Sequence, residues 1–152
     1  MRFELTKRAD YAVRAVMALA RIPDGERRSV RQLASEQHIP ARFLPQVMGD
    51  LVESGIVEGT VGRSGGYRLA RPPSEISLLE IVESIEGDGR RRVCVLRNAP
   101  CELGGKCDVH EVFDAAQTDV LRRLRDTTVG ATIDAAKRRR PTETSSSVSL
   151  PD

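Results

Sequence analysis

The chain has 152 residues, 39% of them hydrophobic, 30% charged and only 3% aromatic, with no tryptophan and a net charge of +2. That composition excludes a disordered, fibrous or disulfide-dense chain and suits one globular domain with a protruding element and a tail. So small a net charge does not announce a nucleic-acid partner, and the basic residues must be weighed by position.

Arg2, Glu4, Lys7, Arg8 and Asp10 interrupt the start, so no signal-peptide core is expected there. No apolar run approaches the roughly 18–20 residues that span a bilayer, so no membrane partner is expected and the location is read as cytoplasmic. Three cysteines are an odd number, and a reducing compartment keeps thiols free. A metal or redox site is therefore the better reading of them than a disulfide framework.

In chain order, Tyr11, Ala12, Ala15, Val16 and Leu19 recur at helical spacing and predict a helix from Thr6, its N-cap, to Arg21. Pro23, Asp24 and Gly25 end that segment. Ser29 and Gln32 form a capping-box pattern that opens a second helix, with Val30, Leu33 and Ala34 on its buried face and an end near Gln37. After the turn His38-Ile39-Pro40 a third helix is expected to reach Ser54, with Phe43, Leu44, Val47, Met48, Leu51 and Val52 as its apolar stripe. Pro45 lies in this stretch. Either the helix begins near Leu44 with the proline in its first turn, or the helix is kinked. Two strands follow, Ile56–Val61 and Tyr67–Ala70, around the loop Gly62-Arg63-Ser64-Gly65-Gly66. Ser77 and Glu80 make a second capping box for a helix closed by Gly87. The stretch Asp88 to Asp108 has no periodicity and holds all three cysteines. A long helix is expected from about Val109 to Asp126, with Val112, Phe113, Ala116, Val120, Leu121 and Leu124 on one side, and a short one over Val129 to Lys137. The serine-rich end reads as disordered.

Helix, helix, turn, helix and two strands around a glycine loop is the order of a winged helix-turn-helix. The fold class expected is thus mainly α with a small β-hairpin wing. Residues 1–73 would form the DNA-binding domain, 74–138 a cysteine loop and long helix, and 139–152 a tail. Double-stranded DNA is the partner this order implies. Arg42, Gln46 and Ala41, at the start of the third helix, would meet base edges or phosphates. Arg63, with Ser64 and Gly65, would meet the backbone at the wing, whose glycines would let the main chain approach phosphates closely. Ser29 and Arg31, at the front of the second helix, would touch phosphates.

The second constellation is Cys94, six residues, Cys101, five residues, Cys107, two residues, His110. Thiolates are soft ligands that suit iron–sulfur clusters and zinc, and the paired Cys-x-x-Cys spacing of a structural zinc site is missing. Three cysteines want a fourth ligand. His110 lies one helical turn past Cys107; otherwise it is a helix-start histidine bonded to backbone. Asp10 either favours the dipole of its own helix or pairs with a basic neighbour, or is a fourth ligand supplied by a partner subunit. Zinc, free redox-sensing thiols and a small iron–sulfur redox carrier are the rival readings. No Ser/His/Asp set or carboxylate pair is visible and only His38 and His110 are histidines, so neither an enzyme nor a small-molecule substrate is expected.

The start Leu5-Thr6-Lys7-Arg8-Ala9-Asp10-Tyr11-Ala12-Val13-Arg14, the wing Gly62-Arg63-Ser64-Gly65-Gly66-Tyr67 and the cysteine loop together resemble the Rrf-two family of bacterial repressors, over residues 1 to 138. The resemblance implies a homodimer built on the long helix and a cluster held by Cys94, Cys101 and Cys107. In one branch a histidine three residues after the third cysteine completes the site, matching His110 and a 2Fe–2S cluster. In another an aspartate of the partner subunit does so, matching Asp10 and 4Fe–4S. His110, and with it 2Fe–2S, is preferred. Two departures stand out: Val61-Gly62 where members often have Arg-Gly, and Pro45 where a glutamate is frequent. The function implied is a cluster-dependent transcriptional regulator sensing iron–sulfur, redox or nitric oxide status.

Overall fold

Alanine dominates the buried side of the first helix, and that sets how closely its neighbours approach. The computed structural model describes residues 4–87 and 108–139. In it α1 (Lys7–Leu19) buries Ala9, Ala12, Ala15, Val16, Ala18 and Leu19. Thr6 is its N-cap, its hydroxyl accepting the Ala9 amide at 3.2 Å, as the sequence predicts. The helix stops two residues short of the expected Arg21, with Ala20 as its C-cap.

Helix α2 (Val30–Glu36) starts with the predicted reciprocal cap: Gln32 N–H donates to the Ser29 hydroxyl, and Ser29 N–H donates to Gln32 Oε1. The turn that follows passes through His38, whose φ of 52° is left-handed, a conformation with no glycine to announce it. Helix α3 (Leu44–Glu53) begins with Pro45 in its first turn, which decides between the two readings of that proline. Pro45 has no N–H to donate to Ala41, so Ala41–Phe43 form a separate turn, with Phe43 N–H bonding the Pro40 carbonyl at 3.0 Å. Of the predicted stripe, Leu44, Val47, Met48 and Leu51 are fully buried, but Phe43 and Val52 are each 41% exposed. Phe43 lies ahead of the helix proper and so escapes its periodicity.

Strands β1 (Val57–Thr60) and β2 (Gly66–Leu69) pair antiparallel, Glu58 opposite Arg68 and Gly59 opposite Tyr67. Strand β1 is two residues shorter than predicted, and β2 keeps four residues but lies one residue earlier; Arg28 adds an antiparallel bridge to Tyr67, with bonds of 2.9 and 2.8 Å. Periodicity could not reveal a one-residue third strand.

After a 3₁₀ turn at Pro73–Glu75 comes α4 (Leu78–Glu86), opened by the predicted Ser77/Glu80 box and closed by Gly87 at φ +68°. Helix α5 (His110–Asp126) packs on α4, and α6 (Val129–Arg139) returns to the 3₁₀ turn and α1. Helix α6 extends two residues past the predicted Lys137 and takes in Arg139, which composition assigns to the tail. A bridge between Ser77 and Thr128 ties the α5–α6 junction to the head of α4. Val129 and Ile133 join Ile76, Ile81 and the α1–α3 side chains in one core cluster. Burying side chains of this kind stabilises by about 1.5–3 kcal/mol each. No described helix is long and apolar enough to cross a membrane.

Candidate nucleic-acid interface and ligand residues

The wing is clamped at its base. Glu58 accepts from Arg68 Nε at 2.5 Å and from Arg27 Nη2 at 3.2 Å, joining β1, β2 and the segment before α2. The Arg68 hydrogen bond, outweighing burial and aided by Arg27, holds the Glu58 carboxyl below its ordinary value. Beyond the clamp, Val61, Gly62, Arg63 and Ser64 are exposed. The wing glycines have a reason other than approach to phosphate. A Cβ on Gly65 would sit 2.2 Å from the Thr60 carbonyl, and one on Gly66, at φ +136°, would sit 2.8 Å from the Arg28 carbonyl. The hairpin's own packing requires them.

Helix α3 is anchored from behind. Arg8 of α1 forms an ion pair with Asp50. The exposed positions of α3, namely Pro45, Gln46, Gly49, Val52 and Glu53, include no cation. Positive charge comes instead from its surroundings. Arg42 is exposed in the turn before α3, not in the helix where sequence placed it, and Ala41 is exposed beside it. Its guanidinium carbon lies 4.6 Å from the centre of the Phe43 ring. Arg31 is exposed on α2 and Arg63 at the wing. Ser29 still has a hydroxyl proton to donate, although its oxygen and amide serve the cap. Of the residues expected to meet DNA, Arg31, Ala41, Arg42, Gln46, Arg63 and Ser64 are exposed, and Ser29 and Gly65 are half-buried.

Sequence reasoning missed the pairing of Arg8 with Asp50 and the aromatic contact of Tyr11 with Phe43, ring centres 6.3 Å apart. Neither has a sequence signal, because each joins residues far apart in the chain.

Of the ligand candidates, Cys94, Cys101 and Cys107 lie outside the described residues. His110 is the first residue of α5, half-buried, with no hydrogen-bond partner among the described residues. Asp10 pairs with Arg14 at 2.9 Å, one turn along α1. Among the described residues no three His, Cys, Asp or Glu side chains gather as a metal site.

The family model described as "Iron-dependent Transcriptional regulator", Rrf2, matches residues 5–135. The chain belongs to the Rrf2 family of transcriptional regulators. The HTH-type transcriptional regulator NsrR of Shouchella clausii is 33% identical over 127 residues, covering 83% of this chain and 85% of that one. Among solved structures, CymR, the global cysteine regulator of B. subtilis, superimposes with a TM-score of 0.73 at 20% identity, covering 88% of this chain and 98% of the other. IscR of T. potens gives 0.72 at 20% identity, covering 91% and 93%. This Rrf2 chain is therefore a winged-helix DNA-binding transcriptional regulator rather than an enzyme.

Proposed function

We propose that this Rrf2 regulator is a cluster-dependent repressor, a cytoplasmic homodimer that holds an iron–sulfur cluster on Cys94, Cys101, Cys107 and His110. The observation that carries the reading is the donor set, three thiolates and an imidazole at spacings of six, five and two residues. Thiolates with imidazole suit a 2Fe–2S centre, and the missing Cys-x-x-Cys pairs disfavour structural zinc. Two further observations support His110 over Asp10. The His110 imidazole has no competing hydrogen bond among the described residues. Asp10 is committed to Arg14, and ligation would leave that guanidinium without its carboxylate.

When bound, the cluster would supply sensitivity to iron, redox poise or nitric oxide. The chain's own residues do the rest. Helix α4 packs against α1, α3 and α5. A displacement of α5 would therefore be passed to α3 through α4. In a dimer, the two α3 helices must match half-sites about one DNA turn apart, so a small change in their separation changes operator affinity.

The test is anaerobic purification with iron, sulfide and absorbance measurements. Stoichiometric iron and sulfide with visible charge-transfer bands is the expected result. A colourless protein carrying zinc would replace this reading with a zinc or thiol sensor on the same scaffold. Cys94→Ala, Cys101→Ala and Cys107→Ala should each lose the cluster and keep the fold. His110→Ala should alter the spectrum more than Asp10→Ala, and the reverse ranking would make Asp10 the ligand.

A further inference from the structure

Four side chains, two from α1 and two from the turn before α3, form a continuous stack. The Arg14 guanidinium carbon lies 5.3 Å from the Tyr11 ring centre. Tyr11 and Phe43 are stacked, centres 6.3 Å apart and planes inclined by 26°. Arg42 lies 4.6 Å from the Phe43 centre. All three separations fall within the range in which such pairs attract.

The two ends of the stack differ. Arg14 is fixed: Nη1 donates to the Gln37 carbonyl at 2.7 Å, and Nη2 pairs with Asp10 at 2.9 Å. Arg42 has no salt bridge or hydrogen bond among the described residues, and its backbone lies in the turn that Pro45 separates from α3. Neither helical backbone nor a carboxylate orients this guanidinium, and among the described residues the Phe43 ring is its one electrostatic partner. Phe43 is 41% exposed, so core packing alone does not fix the ring. Tyr11, packed against the core from α1, supplies the surface it rests on.

We propose that Tyr11 is a specificity-determining positioning residue. It holds the Phe43 ring, and through it the Arg42 guanidinium, in the orientation that reads DNA. A flexible arginine must be ordered before it can make a bidentate base contact, and a preformed stack lowers that cost. The exposed face of α3 carries no cation of its own, so discrimination through a charged fork depends on Arg42 being so held. The inference rests on the reading that Arg42 contacts bases, and the experiment separates the two.

The probe is a duplex enriched from a random-sequence pool by the wild-type full-length chain, set against a scrambled duplex of the same composition. The readout is the ratio of the two affinities. A partly unfolded variant loses affinity for both duplexes by the same factor, so the ratio is blind to a merely structural role. Arg42→Ala should lower the ratio by about tenfold. Tyr11→Leu, which keeps apolar bulk but removes the ring, should lower it by about three- to fivefold in the wild-type background. In the Arg42→Ala background the same substitution should change nothing, because the stack has lost what it positions. Tyr11→Phe should keep the wild-type ratio. If Arg42→Ala lowers the ratio while Tyr11→Leu leaves it intact, or if the two losses multiply, the positioning role is overturned and the base contact stands. If Arg42→Ala leaves the ratio unchanged, both fall.

Discussion

Arg42 and Arg63 are both exposed arginines of the helix-turn-helix and wing, and their settings predict different tasks in the proposed DNA complex. Arg42 is stacked on Phe43 beside the recognition helix, whereas Arg63 extends from the wing with no ion-pair partner among the described residues. Arg42→Ala should narrow the gap between a selected and a random duplex. Arg63→Ala should weaken both alike and lower the salt slope by about one unit, the mark of a lost phosphate contact. Titrations of both duplexes across a salt series distinguish the two, and an unchanged affinity for both variants at every salt would sink this docking arrangement. Gly66 makes a complementary case in which the backbone decides. Its φ of +136°, with the Arg28 carbonyl 2.8 Å from where a Cβ would stand, leaves no space for a side chain. Gly66→Ala should cost at least roughly 1–3 kcal/mol in a denaturant titration, since a strained backbone and a clash add. A loss near zero would mean that the Arg28 bridge is dispensable.

At the scale of elements, the wing has its own pH response. The Arg68 hydrogen bond, with Arg27 in support, depresses the Glu58 carboxyl below its ordinary 4.5. A depressed carboxylate contributes stability that is fully present above the unfolded value and is lost as pH falls through the folded one. The clamp should therefore be intact above the ordinary carboxylate value of 4.5 and loosen as pH falls below it. Hydrogen exchange at Tyr67 and Arg68 amides should accelerate in that window, and Glu58→Gln should remove the pH dependence. Exchange that tracks global unfolding at every pH would show that the clamp has no separate role. Element boundaries were legible wherever a side chain caps its own helix, as at Thr6, Ser29 and Ser77, because such caps are local chemistry. They were less legible at β2, which starts at Gly66 opposite Thr60, one residue before the predicted Tyr67.

For the whole molecule, the outstanding surface is α5. None of its 17 residues is buried, Val112 is 70% exposed, and Phe113, Val120, Leu121 and Leu124 are only half-covered. An apolar face of this kind on a long helix is what a second copy would cover in the proposed dimer. Val120→Asp and Leu124→Asp place an unpaired charge in that face and should shift sedimentation from dimer to monomer. An unchanged dimer in both variants would remove α5 from the interface.

The order of elements, the helix caps, the winged arrangement and the donor types at Cys94, Cys101, Cys107 and His110 were legible in the chain alone, because periodicity, capping and ligand chemistry are properties of neighbours along it. The three-dimensional packing was needed to show that Phe43 faces outward onto Tyr11, that Arg8 pairs with Asp50 and that Gly66 lies against the Arg28 carbonyl. Each of these depends on which distant segment arrives alongside, and that is fixed by burial of the shared core running from Ala12 to Ile133 rather than by any local pattern.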